Sequence, residues 1–273
     1  MRTFSVPGEQ EAKGNNMSIN ISSIRCLRLR QKKLLILDLN GLLADIVFPP
    51  PCHAKADTII QRKAIFTRPF YQEFLNFCFE RFDVAVWSSR TKKNVDSVVD
   101  YLFGDMKQKL IFCWDMSHCT DTGFKTLENK DKPLVFKDLR KIWLNYYPNL
   151  PWERGYYNMS NTLLLDDCPY KALLNHEQNS IFPNTFNYEN QNDNSLAAGG
   201  DLQRYLNGLA NAENMVEYVE QHPFGRKHID EQSECWNFYV YIVYILYLYA
   251  PEKVFPSIEV ENIQKPSSEL ILN

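Results

Sequence analysis

Two short uncharged runs each end in aspartate: Leu34-Leu35-Ile36-Leu37 leads into Asp38, and Thr162-Leu163-Leu164-Leu165 leads into Asp166-Asp167. Apolar residues in an unbroken row, with no alternation, read as strands covered on both faces, the habit of parallel sheets. Val84-Ala85-Val86-Trp87 is another such run, ending in Ser88-Ser89, and Leu110-Ile111-Phe112 is a further strand candidate. Helical spacing of apolar residues predicts helices over 69–81, which starts with Pro69, and over 91–103. The same spacing predicts a helix over 134–146 that carries Lys137, and two more near 201–210 and 212–221. The polar residues 114–132 read as a loop or insertion, and 194–200 as a loop. Strands alternating with helices predict an α/β domain built on a mostly parallel sheet flanked by helices.

The chain has 273 residues, and 45% hydrophobic content is enough for a buried core. Its 30 basic and 33 acidic residues leave a formal charge of −3, which argues against nucleic-acid binding through bulk charge and against full disorder. Seven cysteines with no C-x-x-C pair do not suggest a disulfide scaffold, so the expected setting is reducing and intracellular, nucleus or cytoplasm. Cys113 and Cys119 flank His118, but no second Cys/His pair lies near enough to complete a zinc site. The sequence divides into a flexible polar and basic tail over 1–32, a domain over 33–222 and an extension over 223–273. Residues 17–33 carry Arg25, Arg28, Arg30, Lys32 and Lys33 and no acid, which reads as a basic lead-in to the first strand and only faintly as a transit peptide. The extension contains Trp236–Ala250, an uncharged run with five tyrosines. It falls short of the ~18–20 apolar residues that span a membrane, and reads as an interfacial belt, a strand-like tail or a buried terminal segment.

Asp38, Ser88 and the Asp166-Asp167 pair all fall at the C-terminal ends of predicted parallel strands, where open α/β sheets bind ligands. Carboxylates supply the hard oxygens that Mg²⁺ takes, while a hydroxyl and a lysine hold phosphate oxygens. A carboxylate can also attack phosphorus to form an aspartyl-phosphate.

The motifs resemble the haloacid dehalogenase superfamily, and within it the phosphatases of the RNA polymerase II C-terminal domain. ILDLNGLL is similar to the D-x-D-x-T/L first motif, and VWSSR to the second, with Ser88 in the hydroxyl position. Arg68-Pro69-Phe70 followed by Glu73-Phe74-Leu75 resembles the family's RP-x-x-x-EFL stretch. VFKDL resembles V-x-KDL, with Lys137 as the third-motif lysine, and LLLDDCPY the fourth motif, with Asp166 and Asp167. The resemblance implies Asp38 as nucleophile and Mg²⁺ held by Asp38, Asp167 and the backbone carbonyl of Asn40, with Asp166 in support. It implies that Ser88 and Lys137 bind the phosphate, and that a phosphoprotein, such as the polymerase C-terminal domain, is the substrate.

Asn40 departs from that pattern, because the family's acid–base aspartate stands there. An amide exchanges no proton near neutral pH, and this assistance is typically worth ~10²–10⁴-fold. The expectation is a weakened or altered Mg²⁺-dependent phosphatase, with Asp45 or water as substitute acid. The second reading is a non-catalytic phosphate- or protein-binding relative, akin to the presequence receptor of the mitochondrial inner-membrane translocase. Leu42, where many relatives carry Thr, is a milder departure. The 49 residues between Asp38 and Ser88 leave no room for a large cap, so the site is expected to admit macromolecules. The 114–132 insertion, with His118, Cys119, Lys125, Lys130 and Lys132, is expected to line the groove.

Overall fold

A computed structural model describes residues 32–190 and 192–254. The tail, apart from Lys32, and residues 255–273 lie outside the described residues. In chain order the elements are β1 (Leu34–Leu37), β2 (Ala44–Val47), β3 (Thr58–Ile60), β4 (Lys63–Thr67), α1 (Tyr71–Arg81) and β5 (Asp83–Trp87). Then follow α2 (Lys92–Phe103), β6 (Cys113–Trp114), β7 (Thr120–Lys125), β8 (Pro133–Phe136), α3 (Arg140–Trp143), β9 (Thr162–Leu165) and β10 (Ser180–Ile181). The last elements are α4 (Asp201–Asn211), α5 (Met215–Gln221), α6 (Trp236–Tyr249) and α7 (Pro251–Val254).

The main sheet has the order β10-β9-β1-β5-β6, and every pair in it is parallel. β1 lies at its centre, and all four of its side chains are fully buried. Successive side chains on a strand point to opposite faces, so β1 feeds two cores. Leu35 and Leu37 join Val84, Val86, Leu163 and Leu165 under the helices α1, α2, α4 and α5. Leu34 and Ile36 pack with Ala85, Trp87 and Leu164 on the other face, where Trp114, Leu139 and Ile142 cover them. The expected α/β architecture is therefore observed, and the segment between Asp38 and Ser88 carries a small β2-β4-β3 sheet and α1 rather than a large cap.

Three local expectations are corrected. Residues 110–112 are not a regular strand; β6 is Cys113–Trp114. The pairing along β5 does begin at Ile111, whose amide donates to Val84, but Trp114 seats the strand by meeting Trp87 edge-on at 4.9 Å. Residues 134–146 are not one helix, because Leu134, Val135 and Phe136 are all buried in β8, paired antiparallel with β7. Only the single turn α3 follows, and Lys137 sits at a strand end instead of in a helix. Short apolar runs do not distinguish the two periods, and here pairing with β7 decides. The 114–132 segment is consequently not all loop, since it supplies β7.

The aromatic run forms a helix, α6, that is uncharged throughout. It buries Tyr239, Ile242 and Leu246 at i, i+3 and i+7 against Leu134, Phe136 and Tyr170. The Tyr239 and Tyr170 rings stack with centroids 5.7 Å apart. Among the described residues no helix is long and apolar enough to cross a membrane. Ile242→Ala is expected to cost about 2–5 kcal/mol in urea unfolding, through the cavity left over the hairpin. Tyr241→Ala, on the exposed side of the same helix, is expected to change stability by less than about 0.5 kcal/mol.

Candidate active site

The parallel register aligns the strand ends. Leu37 stands beside Val86 and Leu165, so Asp38, Ser88 and the Asp166-Asp167 pair emerge on one edge. The Asp38 amide donates to the Leu165 carbonyl at 2.9 Å, which carries the ladder one residue past β1. Ser88, itself buried, donates its amide to Trp114 at 2.9 Å. Lys137 reaches this edge from the end of β8, where its amide donates to the Lys171 carbonyl at 2.7 Å.

Five charged side chains meet there, and none is more than 5% exposed: Asp38, Asp166, Asp167, Lys137 and Lys171. Buried charge is tolerated only when paired and hydrogen-bonded, and the pairing is dense. Lys137 Nζ donates to Asp166 Oδ2 and lies 3.4 Å from Asp38 Oδ1. Lys171 Nζ donates to Asp38 Oδ2 at 2.6 Å and to Asp166 Oδ1 at 2.8 Å, and lies 3.9 Å from Asp167 Oδ1. The Leu39 amide donates to Asp38 Oδ1 at 2.8 Å, and the Cys168 amide to Asp166 Oδ1 at 2.9 Å. Burial alone would raise the pKa of Asp38, but the Lys137 and Lys171 ammoniums outweigh it and hold this carboxyl below the usual range. Asp166 goes the other way: burial and the Asp38 charge push it up to about 6. Burial opposes the Lys171 charge, yet Asp166 and Asp38 raise its pKa well above the ordinary value.

The turn after β1 is shaped around this cluster. Gly41 has φ of 78°, and a Cβ there would collide with Asp167 Oδ2. Glycine therefore lets the carboxylate lie against the turn next to Asn40. Thr185 Oγ1 donates to that same Asp167 oxygen at 3.1 Å, and Arg226 Nη1 to the Asp167 carbonyl at 3.1 Å. Arg68 of the Arg-Pro stretch is buried behind the turn, where it donates to the Leu42 carbonyl at 3.2 Å and forks onto Asp193 with two 2.9 Å bonds. The three carboxylates offer only hard oxygens, the donor type of Mg²⁺, and exceed the two ammoniums by one charge. Ligand atoms of Asp166, Asp167 and Cys168 lie within 4.8 Å of one another. The cluster is thus chemically suited to a divalent cation.

Asn40 points its Oδ1 at two donors, the Ile46 amide at 2.9 Å and Arg90 Nη2 at 3.2 Å. Arg90 also donates to the Ile46 carbonyl at 3.2 Å. Both partners would serve a carboxylate equally well. Asp45 is half-buried on β2, accepts the Tyr188 amide at 3.1 Å, and is pushed up by burial against the pull of Arg90. His118, between Cys113 and Cys119, stacks on the Trp114 ring at 5.0 Å. Lys132 lines a cavity of about 470 Å³ with Cys168 and Arg226; Lys125 and Lys130 do not line it.

Sequence reasoning overlooked Lys171, Gly41, Thr185 and the contact between Arg90 and Asn40. Lys171 had one signal, a lysine in the Pro-led turn directly after the acid pair. The close approach at Gly41 depends on the fold and left none. Gly123 has the same φ as Gly41 but open space at its Cβ position. Gly123→Ala is expected to cost the backbone strain alone, about 1–2 kcal/mol. Gly41→Ala should exceed it by about 1–3 kcal/mol of overpacking against Asp167, read by urea unfolding of the two variants.

Residues 33–216 match the NLI interacting factor-like phosphatase family, and the chain belongs to that family. The resemblance seen in the four motifs is borne out. The chain is similar to an uncharacterised FCP1 homology domain-containing protein of Schizosaccharomyces pombe, with 27% identity over 76% of this chain and 87% of the relative. It is also 26% identical to ubiquitin-like domain-containing CTD phosphatase 1 of Xenopus tropicalis, over 70% of this chain and 54% of that protein. The chain thus spans about half the length of these ubiquitin-like domain-containing relatives. A solved structure of the fission yeast RNA polymerase II CTD phosphatase Fcp1 aligns with 85% of this chain and 67% of its own, at 14% identity and a TM-score of 0.41.

Proposed function

We propose that this chain is a Mg²⁺-dependent phosphoprotein serine/threonine phosphatase that acts through an aspartyl-phosphate on Asp38, with turnover reduced by Asn40. The observation that carries this reading is the state of Asp38. Its carboxylate is held ionised by two ammoniums at the ligand-binding edge of a parallel sheet. An ionised carboxylate is the form that attacks phosphorus: one oxygen bonds to phosphorus as the bond to the serine or threonine oxygen breaks. Lys137 and Ser88 stand at the same edge to hold phosphate oxygens as charge develops. Asp38, the Asn40 carbonyl and Asp167, supported by Asp166, would hold Mg²⁺, which when bound neutralises charge on the transferring phosphoryl group.

The departing oxygen needs a proton, and the water that later cleaves the acyl phosphate must lose one. Asn40 can do neither, although its side-chain Oδ1 still accepts from the Ile46 amide and Arg90. The small β2-β4-β3 sheet in place of a large cap supports a macromolecular substrate, a phosphoprotein such as the polymerase C-terminal domain. The Asn40 substitution also keeps open the second reading, a phosphate- or protein-binding relative without turnover.

Steady-state hydrolysis of a phosphoserine peptide, with Mg²⁺ and with EDTA, tests these assignments. Asp38→Asn is expected to abolish the reaction and EDTA to suppress it. Asn40→Asp should raise the rate by ~10²–10⁴-fold, since Arg90 and Ile46 already accommodate an acceptor there. An unchanged rate in Asn40→Asp overturns the account of the missing acid, and a wild-type rate in Asp38→Asn overturns the nucleophile.

A further inference from the structure

The four motifs supply one lysine, Lys137, yet two buried ammoniums share the carboxylates. Lys171 is buried. It lies in the short turn Pro169–Ala172, its amide donates to the Cys168 carbonyl at 3.1 Å, and its own carbonyl accepts from Lys137. Its Nζ lies among oxygens of all three carboxylates, at 2.6 Å from Asp38 Oδ2, 2.8 Å from Asp166 Oδ1 and 3.9 Å from Asp167 Oδ1. Two of those residues, Asp38 and Asp167, are the side chains assigned above to Mg²⁺.

We infer that Lys171 is a built-in cation that shares these carboxylates with the divalent ion, so that it keeps the metal-free site folded and weakens the affinity of the site for Mg²⁺. This rests on the assignment of Mg²⁺ to the same cluster. The reasoning is electrostatic. With both lysines in place the carboxylates are in excess by one charge; without Lys171 they are in excess by two. A divalent ion entering the cluster as it stands meets an ammonium on the same oxygens, in surroundings that screen repulsion poorly. Removing one partner of a buried ion pair leaves uncompensated charge, and a second cation is the natural replacement.

The test titrates MgCl₂ alone, without substrate, into the wild type, Lys171→Met, Lys171→Gln and Lys171→Arg, by calorimetry and by thermal unfolding. Both neutral variants should bind Mg²⁺ at least tenfold more tightly than the wild type, while Lys171→Arg stays near the wild type. Ligand linkage then requires Mg²⁺ to raise the Tm of the neutral variants by more than it raises that of the wild type. If a neutral variant is unfolded in EDTA, millimolar Mg²⁺ should fold it. A purely structural lysine would not tighten metal binding when removed. Equal or weaker affinity in the neutral variants, or failure of Mg²⁺ to stabilise or fold them, overturns the inference while leaving Mg²⁺ binding by the wild type intact. Absence of Mg²⁺ binding in the wild type and variants alike overturns the metal assignment and this inference with it.

Discussion

Five charges are held out of water at one sheet edge. Stripping ions of their hydration costs several kcal/mol each even after relaxation, and only close pairing with further hydrogen bonds offsets it. Asp38 and Asp166 come from the ends of neighbouring parallel strands, whereas the lysines come from the end of β8 and the turn after the acid pair. The backbone bond from Lys137 to the Lys171 carbonyl ties those two segments together. The cluster therefore forms only when β1, β8, β9 and the 169–172 turn are all in place, so its chemistry is inseparable from the tertiary fold.

The central sheet was legible because its strands are uniformly apolar. β1, β5 and β9 are buried on both faces, and burial on both faces writes an unbroken hydrophobic row. β8 was not legible for the opposite reason. Its three apolar residues run straight into Lys137-Asp138-Leu139-Arg140, and the combined spacing imitates a helix. Only the antiparallel contact with β7 distinguishes the two, and that contact joins segments across a polar stretch that reads as loop. The motif singled out Lys137, and the structure brings it to Asp38 and Asp166, while its backbone was assigned to the wrong element.

The site divides the same way. Asp38, Ser88, Asp166 and Asp167 stand at strand ends, so strand periodicity and residue chemistry together point to them. Lys171 and Gly41 matter through what they approach, a carboxylate cluster in one case and Asp167 in the other. Lys171 left one local signal, its place in the turn just after the acid pair, and Gly41 left none. Asn40 is a further kind of case: its identity is plain in the sequence, but only the fold shows that its amide oxygen is held by Ile46 and Arg90. The same two donors would hold an aspartate carboxylate at this position.

The packing of α6 on the β7–β8 hairpin also has a consequence in time. The strand that leads into Lys137 has its outer apolar side covered by Tyr239, Ile242 and Leu246, about a hundred residues further along the chain. During synthesis those covering residues leave the ribosome roughly 5–20 s after Lys137 does, at ordinary elongation rates. Until then Leu134 and Phe136 lack their cover, and the edge that gathers the charges has an unfinished wall. The nascent protein carries Asp38 early and completes the support of Lys137 late.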